Sequence, residues 1–156
     1  MRKNAAAIFY KGSEAVEAGA AVKRYCKIEG SRLFIGSRIY NLSGFKNLFV
    51  VGAGKASAPM GAAIEDLLGK RITNGLINVK YGHMANLTRI RLREAGHPVP
   101  DENGQDGAAA ILDIVKSAGK DDLVLCLFSG GGSALLPLPC HNLALKDKQD
   151  NLMLDA

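Results

Sequence analysis

Two apolar runs, each ending in a glycine-rich turn, constrain this chain more than any other feature. The first is Asn47-Leu48-Phe49-Val50-Val51, followed by Gly52-Ala53-Gly54-Lys55-Ala56-Ser57. The second is Leu123-Val124-Leu125-Cys126-Leu127-Phe128, followed by Ser129-Gly130-Gly131-Gly132-Ser133-Ala134. The unbroken apolar character of the first suits a parallel strand covered on both faces. A strand that ends in bare backbone and then opens a helix is a natural anion site: glycine lets the main chain approach a phosphate, and the helix start points free N–H groups at it. Ligands in open α/β sheets bind beyond the carboxyl ends of the strands, so two such turns can face one crevice. Lys55 adds a mobile positive charge there. The pattern points to the handling of a phosphorylated ligand.

Around these runs the chain alternates strand and helix signals. The segment to about Tyr25 is Ala-rich and helix-favouring, and Gly12-Ser13 is expected to split it into two helices, with Ser13 capping the second. Arg32 to Asn41 suggests a short hairpin about Gly36-Ser37. A helix is expected from about Ala58 to Leu68, with Ser57 as N-cap, Pro59 in the first turn and Gly69 as the stop. Met60, Ala63, Ile64, Leu67 and Leu68 share its apolar face. Further strands are expected at Gly75 to Val79 and at Ile90 to Glu94. Asp101 to Gly104 then lead into a helix with an apolar stripe of Ala108, Ile111, Leu112 and Val115, closed by Gly119. Asp101 and Glu102 read as helix-start acids rather than metal ligands. The alternation predicts an α/β, Rossmann-like fold: α/β/α layers about a mainly parallel sheet with right-handed crossovers. The last stretch, Leu145 to Ala156, reads as a helix that stops mid-pattern, so the chain looks cut off and the sheet incomplete.

At 156 residues the chain fits one domain, and no apolar run nears the roughly 20 residues of a membrane span. Met1-Arg2-Lys3 is not followed by the apolar stretch of a signal peptide, so the cytoplasm is the expected compartment. Cys26, Cys126 and Cys140 lack metal-like spacing and read as free thiols in a reducing compartment. The net charge of +5 is scattered; its densest run, Arg89-Ile90-Arg91-Leu92-Arg93, lacks interleaved aromatics for base stacking. A solvated face, or a field that draws in anions, is favoured over nucleic-acid binding.

The first turn is neither of two familiar phosphate motifs. A Walker A loop needs glycine where Phe49 stands and a hydroxyl where Ala56 stands. The dinucleotide fingerprint finds Gly52 and Gly54 but Ser57 at its third glycine, and Lys80 near the place of the ribose-binding acid. The triple glycine carries more weight, because three consecutive glycines are costly in backbone entropy. Its serines, Ser129 and Ser133, do not form a nucleophile elbow, since Ala134 and Leu135 follow Ser133. Lys55, at the strand tip inside the glycine turn, is the candidate to face phosphate as a point charge. Gly52, Gly54, Ser57, Ser129, Gly130, Gly131, Gly132 and Ser133 are candidates for binding phosphate, nucleotide or substrate. His83 and His97 each follow glycine at a strand end and are candidates to orient substrate, with a hydrogen-bonded structural role the favoured reading of each. His141 has no informative context.

Taken in order, several blocks resemble the class II glycerate kinases, the glycerate 2-kinase family with a C-terminal MOFRL domain. They are Val51-Gly52-Ala53-Gly54-Lys55-Ala56-Ser57, Val79-Lys80-Tyr81-Gly82-His83, Glu94-Ala95-Gly96-His97-Pro98-Val99-Pro100-Asp101, Phe128-Ser129-Gly130-Gly131-Gly132-Ser133-Ala134-Leu135-Leu136 and Leu145-Lys146-Asp147-Lys148-Gln149. The segment from Pro137 to Leu143 departs from the family pattern, which places a glycine-containing turn at His141-Asn142-Leu143. The blocks cover most of the chain from about Phe45 to Gln149, and the resemblance implies that residues 1–156 are part of a large N-terminal α/β domain, without its remainder or the MOFRL domain. It implies ATP-dependent phosphorylation of D-glycerate to 2-phosphoglycerate with Mg²⁺, in a cleft between two domains, with Lys55 as a key residue. It also implies that any arginine and metal carboxylates come from outside this chain; the metal ligands and general base are not identified. Two other readings stand beside it: an NADPH-dependent hydroxypyruvate reductase, motivated by Gly52, Gly54 and Lys80, and a non-catalytic module for a nucleotide or acidic metabolite.

Overall fold

The computed structural model describes residues 2–140 and 142–154, so His141 and the last two positions of the expected terminal helix lie outside the described residues. The chain opens with α1 (Arg2–Ala15) and α2 (Ala18–Tyr25). Gly12-Ser13 does not divide them: α1 runs through both residues, and the break falls after Ala15. The cap of α2 is Glu17, whose carboxylate accepts from the amides of Gly19 at 2.8 Å and Ala20 at 2.5 Å. A longer carboxylate thus does what Ser13 was expected to do. Next come β1 (Cys26–Glu29), β2 (Arg32–Ile35) and β3 (Arg38–Asn41), a three-stranded antiparallel sheet. Its β2–β3 hairpin turns at Gly36-Ser37 as expected; β1 was not anticipated, because Cys-Lys-Ile-Glu carries little strand signal.

The principal sheet is built from β4 (Leu48–Ala53), β5 (Asn74–Lys80), β6 (Ile90–Ala95) and β7 (Leu123–Phe128). All four are parallel, in the order β6-β5-β4-β7. Between them run α3 (Ser57–Leu68) and α4 (Glu102–Ser117), and after β7 come α5 (Gly132–Leu135) and α6 (Leu145–Leu154). Alternation along β4 separates two cores. Leu48 and Val50 pack with Ile64, Leu68, Ile77 and Val79 on the α3 side. Phe49 and Val51 pack with Leu76, Ile111 and Ile114 on the α4 side. Each core residue contributes on the order of 1.5–3 kcal/mol of transfer free energy. Covered faces on both sides make this the α/β/α layering that the sequence predicts.

Three details differ from expectation. β4 continues through Gly52 and Ala53, so the turn begins only at Gly54. Ser57 lies inside α3, whose N-cap is Ala56 without a side-chain cap, and the Ser57 hydroxyl donates instead to the Leu127 carbonyl at 3.3 Å. The stripe of α4 uses Ile114 rather than Val115, and the helix ends at Ala118 rather than Gly119. Glycines at 104 and 107, which α4 lays directly on the sheet, rotate the buried stripe toward Ile114. Gly69, with φ of 51°, ends α3 as expected.

Candidate functional site

All four parallel strands deliver their C-terminal ends, and the loops after them, to one edge of the sheet. The loop after β4 carries Lys55, that after β5 carries His83, that after β6 carries His97, and that after β7 carries the triple glycine. Register explains the closeness of the first and last. Ala53 pairs with Phe128, so the two turns leave adjacent strands at the same height.

The turns are then stitched together. The Ser129 amide donates to the Ala53 carbonyl at 3.2 Å, and the Lys55 amide donates to the Gly130 carbonyl at 3.0 Å. The Ser129 hydroxyl accepts from the Ala56 amide at 2.9 Å and lies 3.2 Å from the Ser57 hydroxyl. Gly54, with φ of 145°, sits where any Cβ would collide with that Ser129 hydroxyl. A Cβ at Gly52 would likewise strike the Leu127 carbonyl. The amide of Gly54 is taken by the Asn78 carbonyl at 3.1 Å, and that of Ser57 by the Gly54 carbonyl at 3.2 Å. From Gly54 to Ser57 every backbone donor is thus committed inside the protein. Gly52, Gly54, Ser57 and Ser129 form a packed seam between two strand ends.

The second turn is open. Among the described residues the amides of Gly130, Gly131, Gly132 and Ser133 have no protein acceptor. Gly130 and Ser133 are exposed, and Gly131 and Gly132 are half-exposed. Gly131 has φ of 88°, the left-handed region that favours glycine. A Cβ there would lie 2.6 Å from His97 ring atoms and 3.3 Å from Cγ of Lys55. The chain thus passes between the Lys55 stem and the His97 ring. Lys55 itself is exposed, free to reach a ligand over these amides. The helix that the triple glycine opens is only α5, a single turn of four residues.

His83 is placed differently. It is exposed, and its Nδ1 lies 3.1 Å from the Tyr81 carbonyl, within its own loop. That loop is tied to α4 instead. The Tyr81 hydroxyl donates to the Asp101 carboxylate at 2.8 Å and accepts from Asn103 Nδ2 at 2.6 Å. Asp101 caps α4, accepting from the Gly104 amide at 2.9 Å. Partial burial pushes the Asp101 carboxyl up, but the amides of Gly96 and Gly104 and the Tyr81 hydroxyl outweigh it and hold it below the usual carboxylate range.

One supporting residue escaped the sequence reading. Asn78 is fully buried in β5, and its Nδ2 donates to the Leu135 carbonyl at 2.8 Å and the Gly104 carbonyl at 3.1 Å. It ties α5, and hence the triple glycine, to the start of α4. Its Oδ1 has no partner among the described residues. A lone amide in the apolar run Leu76-Ile77-Asn78-Val79 was the available signal. For metals the donor set is poor: among the described residues no three His, Cys, Asp or Glu side chains gather to hold an ion.

Comparison with known proteins identifies the family and the fold. The family described as "Domain of unknown function (DUF4147)" matches residues 4–154. A glycerate 2-kinase of Pyrococcus horikoshii is 38% identical over 127 residues, covering 81% of this chain and 28% of that protein. A putative hydroxypyruvate reductase of Agrobacterium vitis is 45% identical over 100 residues, covering 64% of this chain and 26% of that protein. The crystal structure of a glycerate kinase from Thermotoga maritima superposes with a TM-score of 0.77 at 33% identity, covering 97% of this chain and 33% of that one. The chain thus spans between about a quarter and a third of the length of these proteins.

Proposed function

The chain belongs to the DUF4147 family, and from that premise we propose that it forms the phosphate-handling part of a two-domain glycerate 2-kinase. In this reading ATP phosphorylates D-glycerate at the 2-hydroxyl in the cytoplasm, and the second domain lies outside this chain. One observation supports it above the rest: Lys55 and His97 flank a glycine turn whose amides from Gly130 to Ser133 have no protein acceptor among the described residues.

Phosphoryl transfer through a loose transition state asks a protein mainly for positioning and charge neutralisation. The four amides hold phosphate oxygens. The Lys55 ammonium neutralises charge on the transferring group or on the substrate carboxylate, each charge-assisted hydrogen bond contributing about 1.5–3 kcal/mol. His97, against Gly131, orients the substrate. Gly52, Gly54, Ser57 and Ser129 act through packing, and His83 faces its own loop. Magnesium, when bound, would supply charge neutralisation to the phosphate groups; its protein ligands are assigned outside the described residues of this chain. The site is open to water, which weakens every charge interaction in it. The isolated chain is therefore expected to bind ATP with little or no turnover.

The A. vitis relative's name favours a second reading, reduction of hydroxypyruvate with NADPH. Against it stands Ser57, buried where the fingerprint needs its third glycine. Calorimetric titration with ATP, repeated on Lys55→Ala, separates the readings. Saturable binding that Lys55→Ala weakens ten- to hundredfold, with no loss of nicotinamide absorbance on hydroxypyruvate, supports the kinase. Absence of ATP binding, or NADPH consumption, overturns it.

A further inference from the structure

The C-terminal helix α6 touches both walls of the site through two consecutive side chains. Lys148 Nζ donates to the Ser133 carbonyl at 2.7 Å, and Gln149 Nε2 donates to the Pro100 carbonyl at 2.7 Å. Ser133 belongs to the open glycine turn, and Pro100 closes the loop that carries His97. The start of α6 is itself fixed, because the Asp147 carboxylate accepts from the Ala144 amide at 2.6 Å. Beneath the site, Asn78 holds the Leu135 carbonyl. The turn is thus tethered from below by Asn78 and from above by Lys148.

We propose that α6 is a strap across the site, and that Lys148 and Gln149 are positioning residues that set the spacing between the glycine turn and His97. The physical argument is pre-organisation. Four glycine-rich amides confer little on a ligand if they must first be gathered, because glycine loses more conformational freedom on ordering than any other residue. A cation on the Ser133 carbonyl holds that backbone without using any of the four amides. Lys148 also brings a second positive charge to the turn beside which Lys55 lies, and an anion bound there gains from both. As a role in binding phosphate, this inference rests on the reading given under Proposed function; as a mechanical tether it does not.

Hydrogen exchange on the unliganded chain, followed by titration with inorganic tripolyphosphate, tests the two parts separately. The Leu135 amide, bonded to the Gly131 carbonyl, and the Lys55 amide, bonded to the Gly130 carbonyl, report on the turn. The Gly104 amide reports on the other wall. In Lys148→Met the turn amides are expected to exchange about tenfold faster, while central amides of β4 and β5 are unchanged. Gln149→Ala is expected to release Gly104 in the same way. Tripolyphosphate affinity should fall about tenfold in Lys148→Met and recover in Lys148→Arg, which keeps the charge and the donor. Unchanged exchange at all three reporters in both variants overturns the strap. Faster exchange in a chain whose wild type does not bind tripolyphosphate upholds the strap and removes the phosphate reading beneath it.

Discussion

The two glycine turns look alike in sequence and do opposite things. From Gly54 to Ser57 each amide is consumed by a neighbour, and the hydroxyls of Ser57 and Ser129 meet between the strands. From Gly130 to Ser133 the amides have no acceptor among the described residues, and the turn lies beside a lysine and a histidine. Glycine in the first turn removes atoms so that two strand ends can touch. In the second it leaves donors uncovered. The same residue type therefore marks a packing seam in one place and, in the proposed function, a ligand surface in the other, and substitution should tell them apart.

The largest effect is expected at the seam. Gly54→Ala places a methyl on the Ser129 hydroxyl at a backbone angle that other residues avoid, costing about 3 kcal/mol in urea unfolding. A loss below about 0.5 kcal/mol would show that the seam is loose. Lys55→Ala inverts the pattern: stability changes by less than about 0.5 kcal/mol, while ATP affinity measured by calorimetry falls ten- to hundredfold. Gly131→Ala lies between, losing about 1–2 kcal/mol to its left-handed backbone and displacing the His97 ring, with the proton spectrum of His97 reporting the shift.

The smallest effect concerns acid. The native Asp101 carboxyl is depressed, so its contribution is complete above the ordinary carboxylate range and lost as pH falls through the lowered native value. Asp101→Ala should cost about 1 kcal/mol at neutral pH, as a cap substitution, and should flatten the acid limb of the stability profile. An acid limb identical to wild type would remove Asp101 from the account.

Much of this could be read before the fold was seen. Unbroken apolar runs gave β4 and β7, and helical spacing gave the core face of α3, because burial leaves a periodic trace in sequence. The triple glycine and Lys55 were visible as chemistry. What stayed hidden were contacts between residues far apart in the chain. Ser57 reads as a cap until Leu127 and Ser129 are beside it. Asn78 is an oddity in a strand until Leu135 and Gly104 appear around it. Gly52 and Gly54 look like ligand-facing glycines until β7 is laid against them. Helix breaks misled for a different reason: Gly12-Ser13 weakens a helix locally, but the carboxylate of Glu17 offers a better start five residues beyond Gly12.

The central claim is that the amides from Gly130 to Ser133, with Lys55, receive phosphate oxygens while those from Gly54 to Ser57 do not. Titrating ¹⁵N-labelled chain with ATP and following its backbone amides by NMR tests this directly. The account predicts large, saturable shifts at Gly130, Gly131, Gly132 and Ser133, weakened in Lys55→Ala, and small shifts from Gly54 to Ser57. Equal shifts in both turns, or none in the triple glycine, would contradict it.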